Sequence, residues 1–351
     1  MELGQYRVTG RYVNMEDALW LTMSAATVAF QVEGAGFCRI LLKGDNSATD
    51  PEKETLLARY AVMLDGRVIT DERLDAAERT VAVFEGETGE KHEVKVIKLS
   101  ESTRSNLGFA GVETDGVIRP VPEKARKLKV IGDSITCGYG VEGDLTQTFT
   151  TRTENAMKAY GYLTADALDA DVELVSFSGF GILSGYTDTG IINTDCLVPT
   201  YYEKAGLNDF VFPDGTKAED HMWNFDTYQP DTVVINLGTN DLSYCKEDTD
   251  KKKQYRELYK EFLKTVRKHD PQAKILCILG VMGMGLNDQM ADAVAEYSRE
   301  TGDARIRARR YEEQSAEDGY GTDYHPSEVT QVKLAEKVVH DLKEWDTEEQ
   351  K

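Results

Sequence analysis

Short apolar runs separated by turn signals mark the first third of the chain. The pair Asp65-Gly66, between two such runs, is a hairpin signal, and no long helical pattern interrupts the series. Many short strands without helices are typical of a sandwich or jelly roll, so we predict an all-β jelly-roll sandwich over residues 1–122. Its predicted strands include Leu19–Met23, Thr27–Val32, Phe37–Leu42, Tyr60–Leu64, Thr80–Phe84 and His92–Leu99.

The pattern changes after Pro120 and Pro122, where apolar runs begin to alternate with helical patterns. The runs Val233–Ile235 and Ile275–Leu279 contain no alternating polar residues, as is typical of strands buried on both faces of a parallel sheet. We therefore predict an α/β/α domain with a mostly parallel sheet over residues 123–351. The predicted strands are Leu128–Ile131, Val172–Phe177, Thr232–Leu237, Lys274–Leu279 and Ala304–Ala308. The predicted helices are Asn155–Leu168, Lys251–Lys268, Gln289–Thr301 and Ser327–Trp345. The last helix is predicted to bury a stripe of Val329, Val332, Leu334, Ala335, Val338, Val339 and Leu342.

Three polar blocks lie at predicted strand ends or at a helix start. The apolar run Leu128–Ile131 leads into Gly132-Asp133-Ser134, at the edge of the sheet where α/β proteins place their ligands. Gly238-Thr239-Asn240-Asp241 follows a second buried run, and Asp323-Tyr324-His325-Pro326 precedes the last helix. Taken alone, Gly132-Asp133-Ser134 is more typical of a simple turn, and Gly238–Asp241 is as compatible with a strand-ending turn as with a site. Their combination in this order indicates chemistry instead.

Together the three blocks resemble the signature of SGNH (GDSL-type) hydrolases. The resemblance implies that Ser134 is the nucleophile of an acyl transfer and that His325 is the base that accepts its proton. It also implies an oxyanion hole formed by the Asn240 side-chain amide and by the N–H groups of Ser134 and Gly179. Gly181 is an alternative to Gly179 in that role.

The third member of the triad is open at this stage. Most SGNH enzymes carry an Asp three residues before the His, but Thr322 occupies that position here and Asp323 stands two residues before His325. Either Asp323 turns to meet the imidazole, or a backbone carbonyl orients the ring and leaves a dyad. His221, in a polar loop, is the competing candidate for the base. The remaining histidines, His92, His269 and His340, lie in strand or helix-surface patterns.

Charge and cysteine content exclude several classes of protein. The 351 residues include 62 acidic and 41 basic side chains and carry a net charge of -21, which argues against nucleic acid or an anionic membrane as a partner. The five cysteines are scattered singly, as expected for reduced thiols, and no zinc-finger spacing, EF-hand loop or H-E-x-x-H motif occurs. We therefore expect no metal and no cofactor. No signal peptide or membrane-spanning run is seen, so we expect a cytoplasmic protein, or a secreted one if a leader is missing.

The combination of an N-terminal β-domain with the three blocks that follow it resembles carbohydrate esterase family 2. The resemblance rests on residues 132–140, 229–241 and 323–326, together with Gly10-Arg11 and Tyr60–Gly66, and covers nearly the whole chain. It implies removal of O-acetyl groups from xylan- or mannan-type poly- or oligosaccharides through an acetyl-enzyme. Two features depart from the family. Tyr324 stands where the family usually has Trp. The family's polysaccharide-active members are secreted, whereas no signal peptide is seen in this sequence.

Aromatic residues beside the blocks are candidates for sugar contacts, because sugar rings stack on aromatic faces. We expect Tyr324, Trp223 and Tyr139 to line the substrate site, with core packing as the alternative for each. Two other functions stay open: a lipase or thioesterase with the same chemistry but a longer acyl group, and an inactive glycan-binding protein.

Overall fold

The computed structural model describes residues 2–86 and 89–349, and the chain divides into two compact units. The first contains residues 1–124 together with the segments 149–156 and 204–223, and the second contains residues 125–148, 157–203 and 224–351. The sequence predicted a single division at residue 122. Two later segments nevertheless fold with the first unit, so each unit is built from more than one stretch of chain.

The first unit contains two antiparallel sheets in its described residues. One has the strand order β1-β4-β9-β6-β7, with β11 also paired to β4, and the other has the order β2-β3-β10-β5-β8. Phe30 and Val62 of the first sheet and Ile40 and Phe109 of the second belong to one buried apolar cluster. The predicted all-β sandwich is therefore confirmed. Its strands are β1 Arg7–Thr9, β2 Tyr12–Asn14, β3 Leu19–Leu21, β4 Thr27–Glu33, β5 Phe37–Gly44, β6 Arg59–Leu64, β7 Arg67–Arg73, β8 Glu78–Glu85, β9 Lys91–Lys98, β10 Leu107–Thr114 and β11 Val117–Pro120.

The predicted hairpin at Asp65-Gly66 joins β6 to β7. Both residues have positive φ, 49° and 79°, as a two-residue turn between right-twisted strands requires. Strand β7 itself has no buried position, so it gives no alternating signal in the sequence. Strand β10 was also missed, because Gly108 and Gly111 interrupt its apolar run. A Cβ at Gly108 would lie 2.9 Å from the Cβ of Lys43, so the neighbouring strand requires a glycine there.

The second unit is built on a five-stranded parallel sheet with the order β13-β12-β14-β15-β16. The chain passes from β12 to β13 on one side and then to β14 on the other, so the strand order reverses at β12. Ligands bind beyond the carboxyl ends of the strands at such a reversal. The predicted parallel sheet is confirmed. The strands are β12 Arg126–Gly132, β13 Ala170–Ser176, β14 Thr232–Asn236, β15 Lys274–Leu279 and β16 Ile306–Arg310. The helices are α1 Ser134–Cys137, α2 Tyr160–Ala167, α3 Val198–Tyr201, α4 Thr239–Cys245, α5 Thr249–His269, α6 Asn287–Thr301 and α7 Glu328–Glu349.

The buried face of α7 differs from the predicted stripe. Val329 and Val332 are 49% and 45% exposed, because they lie off the row that faces the sheet. That row consists of Gln331, Leu334, Ala335, Val338, Leu342 and Trp345, at helical spacing. The buried side chain of Gln331 accepts a hydrogen bond from the Tyr160 N–H and donates one to the Ile135 carbonyl. Helix α7 is thereby attached to α1, which begins at Ser134.

None of the helices among residues 2–86 and 89–349 combines the length and apolar composition needed to span a lipid bilayer.

Candidate active site

Ser134 is presented by a tight turn at the carboxyl end of β12. The carboxylate of Asp133 caps helix α1 by accepting from the Ile135 N–H over 3.0 Å. A Cβ at Gly132 would lie 2.0 Å from the Thr136 hydroxyl oxygen, so the turn requires glycine there. Ser134 is the first residue of α1, and its N–H is one of the donors that a helix N-terminus leaves without an intrahelical partner.

The structure brings Ser134 and His325 together. The Ser134 Oγ lies 2.8 Å from His325 Nε2, although the two residues are 191 positions apart. The other ring nitrogen, Nδ1, lies 3.2 Å from the carbonyl oxygen of Thr322. An Nδ1–H donated to that carbonyl leaves the lone pair of Nε2 directed at the serine hydroxyl, which is the tautomer that a general base needs.

Asp323 does not occupy the position of a triad acid. Its carboxylate accepts a hydrogen bond from the Tyr139 hydroxyl over 2.8 Å. Asp323 and Tyr324 both have left-handed backbone, with φ of 54° and 61°. In the turn that they form, the carbonyl oxygen of Thr322 faces Nδ1 of His325, and the Asp323 carboxylate points to Tyr139 instead. Of the two arrangements left open by the sequence, the structure shows the backbone carbonyl.

The turn that carries His325 is docked directly on the loop after the nucleophile. The Thr322 N–H donates to the Gly140 carbonyl over 3.0 Å, and the Gly321 N–H donates to the His325 carbonyl over 2.8 Å. Gly140 has a φ of 61°, and a Cβ there would lie 2.7 Å from the Cβ of Thr322. This close approach holds His325 in register with Ser134.

The predicted oxyanion residues converge on the same edge of the sheet. Asn240 is the second residue of α4, a helix where the sequence suggested a turn, and its Nδ2 donates to the Phe180 carbonyl over 2.8 Å. The same Nδ2 donates its second hydrogen to Asp133 Oδ2 over 3.3 Å, so both amide hydrogens are engaged in this structure. Asn240 therefore contacts the neighbour of Ser134 and the neighbour of Gly179. Gly179 has a φ of 83°, a conformation that favours glycine.

The alternative donor, Gly181, is already engaged. Its N–H donates to the Cys196 carbonyl over 3.1 Å. A Cβ at Gly181 would also lie 2.1 Å from the Ser184 carbonyl oxygen. Gly181 is thus a residue that folds the loop, and Gly179 is the better candidate for the oxyanion hole.

Two buried carboxylates support these loops. Asp241 Oδ1 accepts from the N–H groups of Ile182, Leu183 and Ser184 over 3.0, 2.6 and 3.0 Å. Burial raises the pKa of Asp241 to about 6. Burial, with a further contribution from the Asp241 carboxylate, raises the pKa of Asp133 to about 7. Neither group contacts the Ser134 or His325 side chain in a described hydrogen bond, so both act by shaping the loops.

Trp223 and His221 both fall in the first unit. Trp223 is buried there, with its ring edge-on to Tyr12 and the Arg11 guanidinium 5.6 Å from its ring centre. This packing is the alternative that the sequence left open for Trp223. His221 Nε2 lies 2.6 Å from the Thr216 hydroxyl, so the competing base is engaged elsewhere.

Tyr186 is a further candidate that the sequence did not single out. Its N–H donates to the Gly179 carbonyl over 2.8 Å, and its side chain is 61% exposed. Tyr324, beside His325, is 62% exposed. Each of these exposed tyrosines therefore belongs to a segment that carries a site residue. The signal for Tyr186 in the sequence was an aromatic residue shortly after the glycine block.

One cluster of ligand-type side chains elsewhere in the second unit carries no metal hypothesis. His340, Asp341 and Glu344 lie close together on the solvent-facing side of α7. Arg309 already forms ion pairs with both acids at 3.7 and 3.6 Å.

Comparison with known proteins finds a matching family model for each of two long stretches of the chain. Residues 130–331 match the model of the GDSL-like lipase/acylhydrolase family, and residues 8–122 match the carbohydrate esterase 2 N-terminal model. Over 293 residues, 81% of its length, the chain is 30% identical to the cellulase/esterase CelE of Acetivibrio thermocellus. It spans only 34% of that larger protein.

Two further relatives are matched over most of their own length. The chain is 30% identical over 290 residues to an acetylxylan esterase/glucomannan deacetylase of Cellvibrio japonicus, covering 81% of this chain and 75% of that protein. A family two carbohydrate esterase from Clostridium thermocellum, solved in complex with cellohexaose, superposes with a TM-score of 0.81 at 26% identity. That match covers 97% of this chain and 98% of the solved one.

Proposed function

The chain belongs to the GDSL-like lipase/acylhydrolase family and is an ester hydrolase of carbohydrate esterase family 2; we propose that it removes O-acetyl groups from xylan- or mannan-type oligo- or polysaccharides. The observation that carries the proposal is the 2.8 Å contact between Ser134 Oγ and His325 Nε2 at the carboxyl end of β12. A hydroxyl and an imidazole in that contact are the minimum that acyl transfer requires.

The first half-reaction transfers the acetyl group to the protein. Ser134 Oγ attacks the acetyl carbonyl carbon while its proton passes to His325 Nε2, and the carbonyl π electrons move onto oxygen. The Ser134 N–H and the Gly179 N–H stabilise that oxyanion, together with the Asn240 amide once one of its hydrogens turns from Asp133 Oδ2 to the oxyanion. Its collapse breaks the bond to the sugar oxygen, which takes the proton from Nε2 and leaves as an alcohol.

The second half-reaction releases acetate. Water attacks the acetyl-serine carbonyl and gives a proton to His325 Nε2. The tetrahedral intermediate then collapses, and the proton returns from Nε2 to Ser134 Oγ. No metal or cofactor is required by this scheme, since the protein supplies nucleophile, base and oxyanion donors.

The exposed side chains of Tyr186 and Tyr324 are suited to contact the sugar ring of the substrate. Tyr186 is held by its backbone to Gly179, and Tyr324 precedes His325, so each exposed tyrosine belongs to a segment that carries a site residue. An open depression of about 420 Å³ runs along residues 186–195 and is lined by Asp188, Asn193 and Asp195 as well as by the exposed Ile191 and Ile192. A sugar ring has apolar faces and polar edges, so it suits such a mixed lining. The names of the relatives, which specify acetylxylan, glucomannan and cellohexaose, support the same substrate class.

The experiment is acetate release from acetylated xylo- and manno-oligosaccharides, followed by NMR and resolved by acetyl position. A parallel series of 4-nitrophenyl acetate, butyrate and octanoate separates the acyl classes. We expect release from the sugars and a steep fall in kcat/KM beyond acetyl. Faster octanoate hydrolysis would indicate a lipase, and glycan binding without any hydrolysis would indicate a binding protein.

A further inference from the structure

The imidazole of His325 has a backbone carbonyl at Nδ1 and an aromatic ring over its face. His325 Nδ1 faces the neutral Thr322 carbonyl at 3.2 Å. When the serine proton reaches Nε2, the ring becomes an imidazolium cation. A neutral carbonyl orients that cation but stabilises its charge less than a carboxylate does.

The face of the His325 ring is covered by Tyr139. The two ring centres are 4.3 Å apart and the ring planes are inclined by 36°. A cation within about 6 Å of an aromatic ring centre is attracted by its negative face. Tyr139 is therefore placed to stabilise the imidazolium over its face rather than at Nδ1.

Asp323 holds Tyr139 in that position. The Tyr139 hydroxyl donates to Asp323 Oδ2 over 2.8 Å, and Asp323 is only two residues from His325. A phenol that donates to a carboxylate has a more electron-rich ring, which strengthens its attraction for a cation. The left-handed backbone of Asp323, with φ of 54°, is the feature that turns this carboxylate to Tyr139.

Building on the function proposed above, we infer that Asp323 and Tyr139 act as one positioning pair for His325: the carboxylate fixes the tyrosine, and the tyrosine ring supports the imidazole in its charged form. The negative charge of Asp323 thus contributes to the reaction through Tyr139. Neither residue is required to touch the reacting atoms. The turn itself is anchored separately, by the Thr322 N–H on the Gly140 carbonyl, so the pair can be altered without releasing His325.

The test compares Asp323→Asn, Tyr139→Phe and the double variant with wild type, using 4-nitrophenyl acetate. Tyr139→Phe removes the hydrogen bond between the pair and Asp323→Asn removes the negative charge that strengthens it, so we expect kcat to fall about three- to tenfold in each, with KM little changed. Because the two residues act as one unit, the double variant should be no slower than the slower single one. The midpoint of the rise of kcat/KM with pH should move to lower pH in Asp323→Asn, since a negative charge is removed from the surroundings of His325.

The matched controls make the same two changes in a bond of the same type elsewhere in the unit. Tyr311 donates to Asp341 Oδ2 over 2.7 Å, between the end of β16 and α7. Tyr311→Phe and Asp341→Asn should leave kcat and the pH midpoint unchanged. Thermal unfolding of every variant shows whether it is folded.

Three results would overturn the inference. An Asp323→Asn variant with unchanged kcat and pH midpoint excludes the pair, and losses that multiply in the double variant show that the residues act separately. A KM effect seen only with acetylated sugars makes Asp323 a substrate contact. The Ser134→Ala variant separates a failure of this inference from a failure of the proposed function. If Ser134→Ala retains wild-type activity, the function proposed for the site is wrong. If Ser134→Ala is inactive, the proposed function stands and only the inference about Asp323 and Tyr139 is wrong.

Discussion

The side-chain amide of Asn240 donates from Nδ2 to the carbonyl oxygen of Phe180 over 2.8 Å. This bond joins α4, which follows β14, to the loop that follows β13 and carries Gly179. The strand between them, β12, ends at Gly132, two residues before Ser134. One amide thereby fixes the relative positions of the three strand ends from which the oxyanion donors come.

We predict that Asn240→Ala lowers kcat on acetyl esters by about 10²- to 10³-fold, the usual cost of losing one oxyanion donor. KM should change little, because the charge on the carbonyl oxygen develops only in the transition state. Steady-state kinetics with 4-nitrophenyl acetate measures this. Asn224→Ala, which removes a cap from a short turn outside the site, is the matched control. A loss below about fivefold, in a folded variant, would contradict the role of Asn240.

The exposed ring of Tyr324 predicts a substrate-dependent effect. Tyr324→Ala removes an aromatic face that stands in solvent, so the core should be unaffected. We expect KM for acetylated oligosaccharides to rise about three- to tenfold, while KM for 4-nitrophenyl acetate stays nearly constant. Tyr186→Ala should show the same asymmetry. Equal effects on both substrates would show that neither ring is a sugar contact.

The buried carboxyl of Asp133 predicts how stability varies with pH. Burial raises its pKa from 3.8 to about 7 in the folded chain, so the folded state holds this proton more tightly than the unfolded one. The stabilisation from Asp133 is therefore complete below about pH 4 and is lost as the pH rises through about 7. Asp133→Asn cannot titrate, and its free energy of unfolding lacks this dependence.

Urea unfolding at pH 4.5 and pH 7.5 compares wild type with Asp133→Asn. We expect the advantage of wild type to shrink between these values by up to about 4 kcal/mol. Asp188→Asn, at an exposed position, should show a pH-independent difference. A wild-type advantage that grows with pH would show that Asp133 is held as a carboxylate.

A fully buried ion pair supports the sheet beneath the site. Lys129 of β12 donates to both carboxylate oxygens of Asp270 at 2.8 and 2.9 Å, and neither side chain is exposed. Lys129→Met leaves the Asp270 carboxylate buried with its cation removed, and should reduce the free energy of unfolding by about 3–5 kcal/mol. Lys264→Met, from a largely exposed pair with Glu261, should cost less than about 1 kcal/mol. Equal costs in urea unfolding would contradict the importance of burial.

The sequence predicted most of what depends on apolar pattern. The unbroken runs around Val234 and Leu276 predicted a parallel sheet, and once strands are parallel their carboxyl ends share one edge. That is why Ser134 and Asn240 could be placed together from the sequence. The short apolar runs from Leu19 to Leu99 likewise predicted the sandwich, because its strands also depend on the apolar pattern.

The rest depends on backbone conformation and on hydrogen bonds that leave no apolar pattern. The partner of Asp323 follows from positive φ at two non-glycine residues, which residue type does not reveal. The position of Tyr186 follows from its bond to Gly179 and from the three N–H groups held by Asp241. The packing of Trp223 against Tyr12 follows because the segment 204–223 folds with the first unit, although it lies within the second in sequence.

The most direct measurement compares acetate release by wild type and by Ser134→Ala, on one acetylated xylo-oligosaccharide followed by NMR. The account predicts release by wild type and a fall of at least about 10³-fold in the variant, with an unchanged unfolding midpoint. A Ser134→Ala protein that releases acetate at the wild-type rate would contradict it.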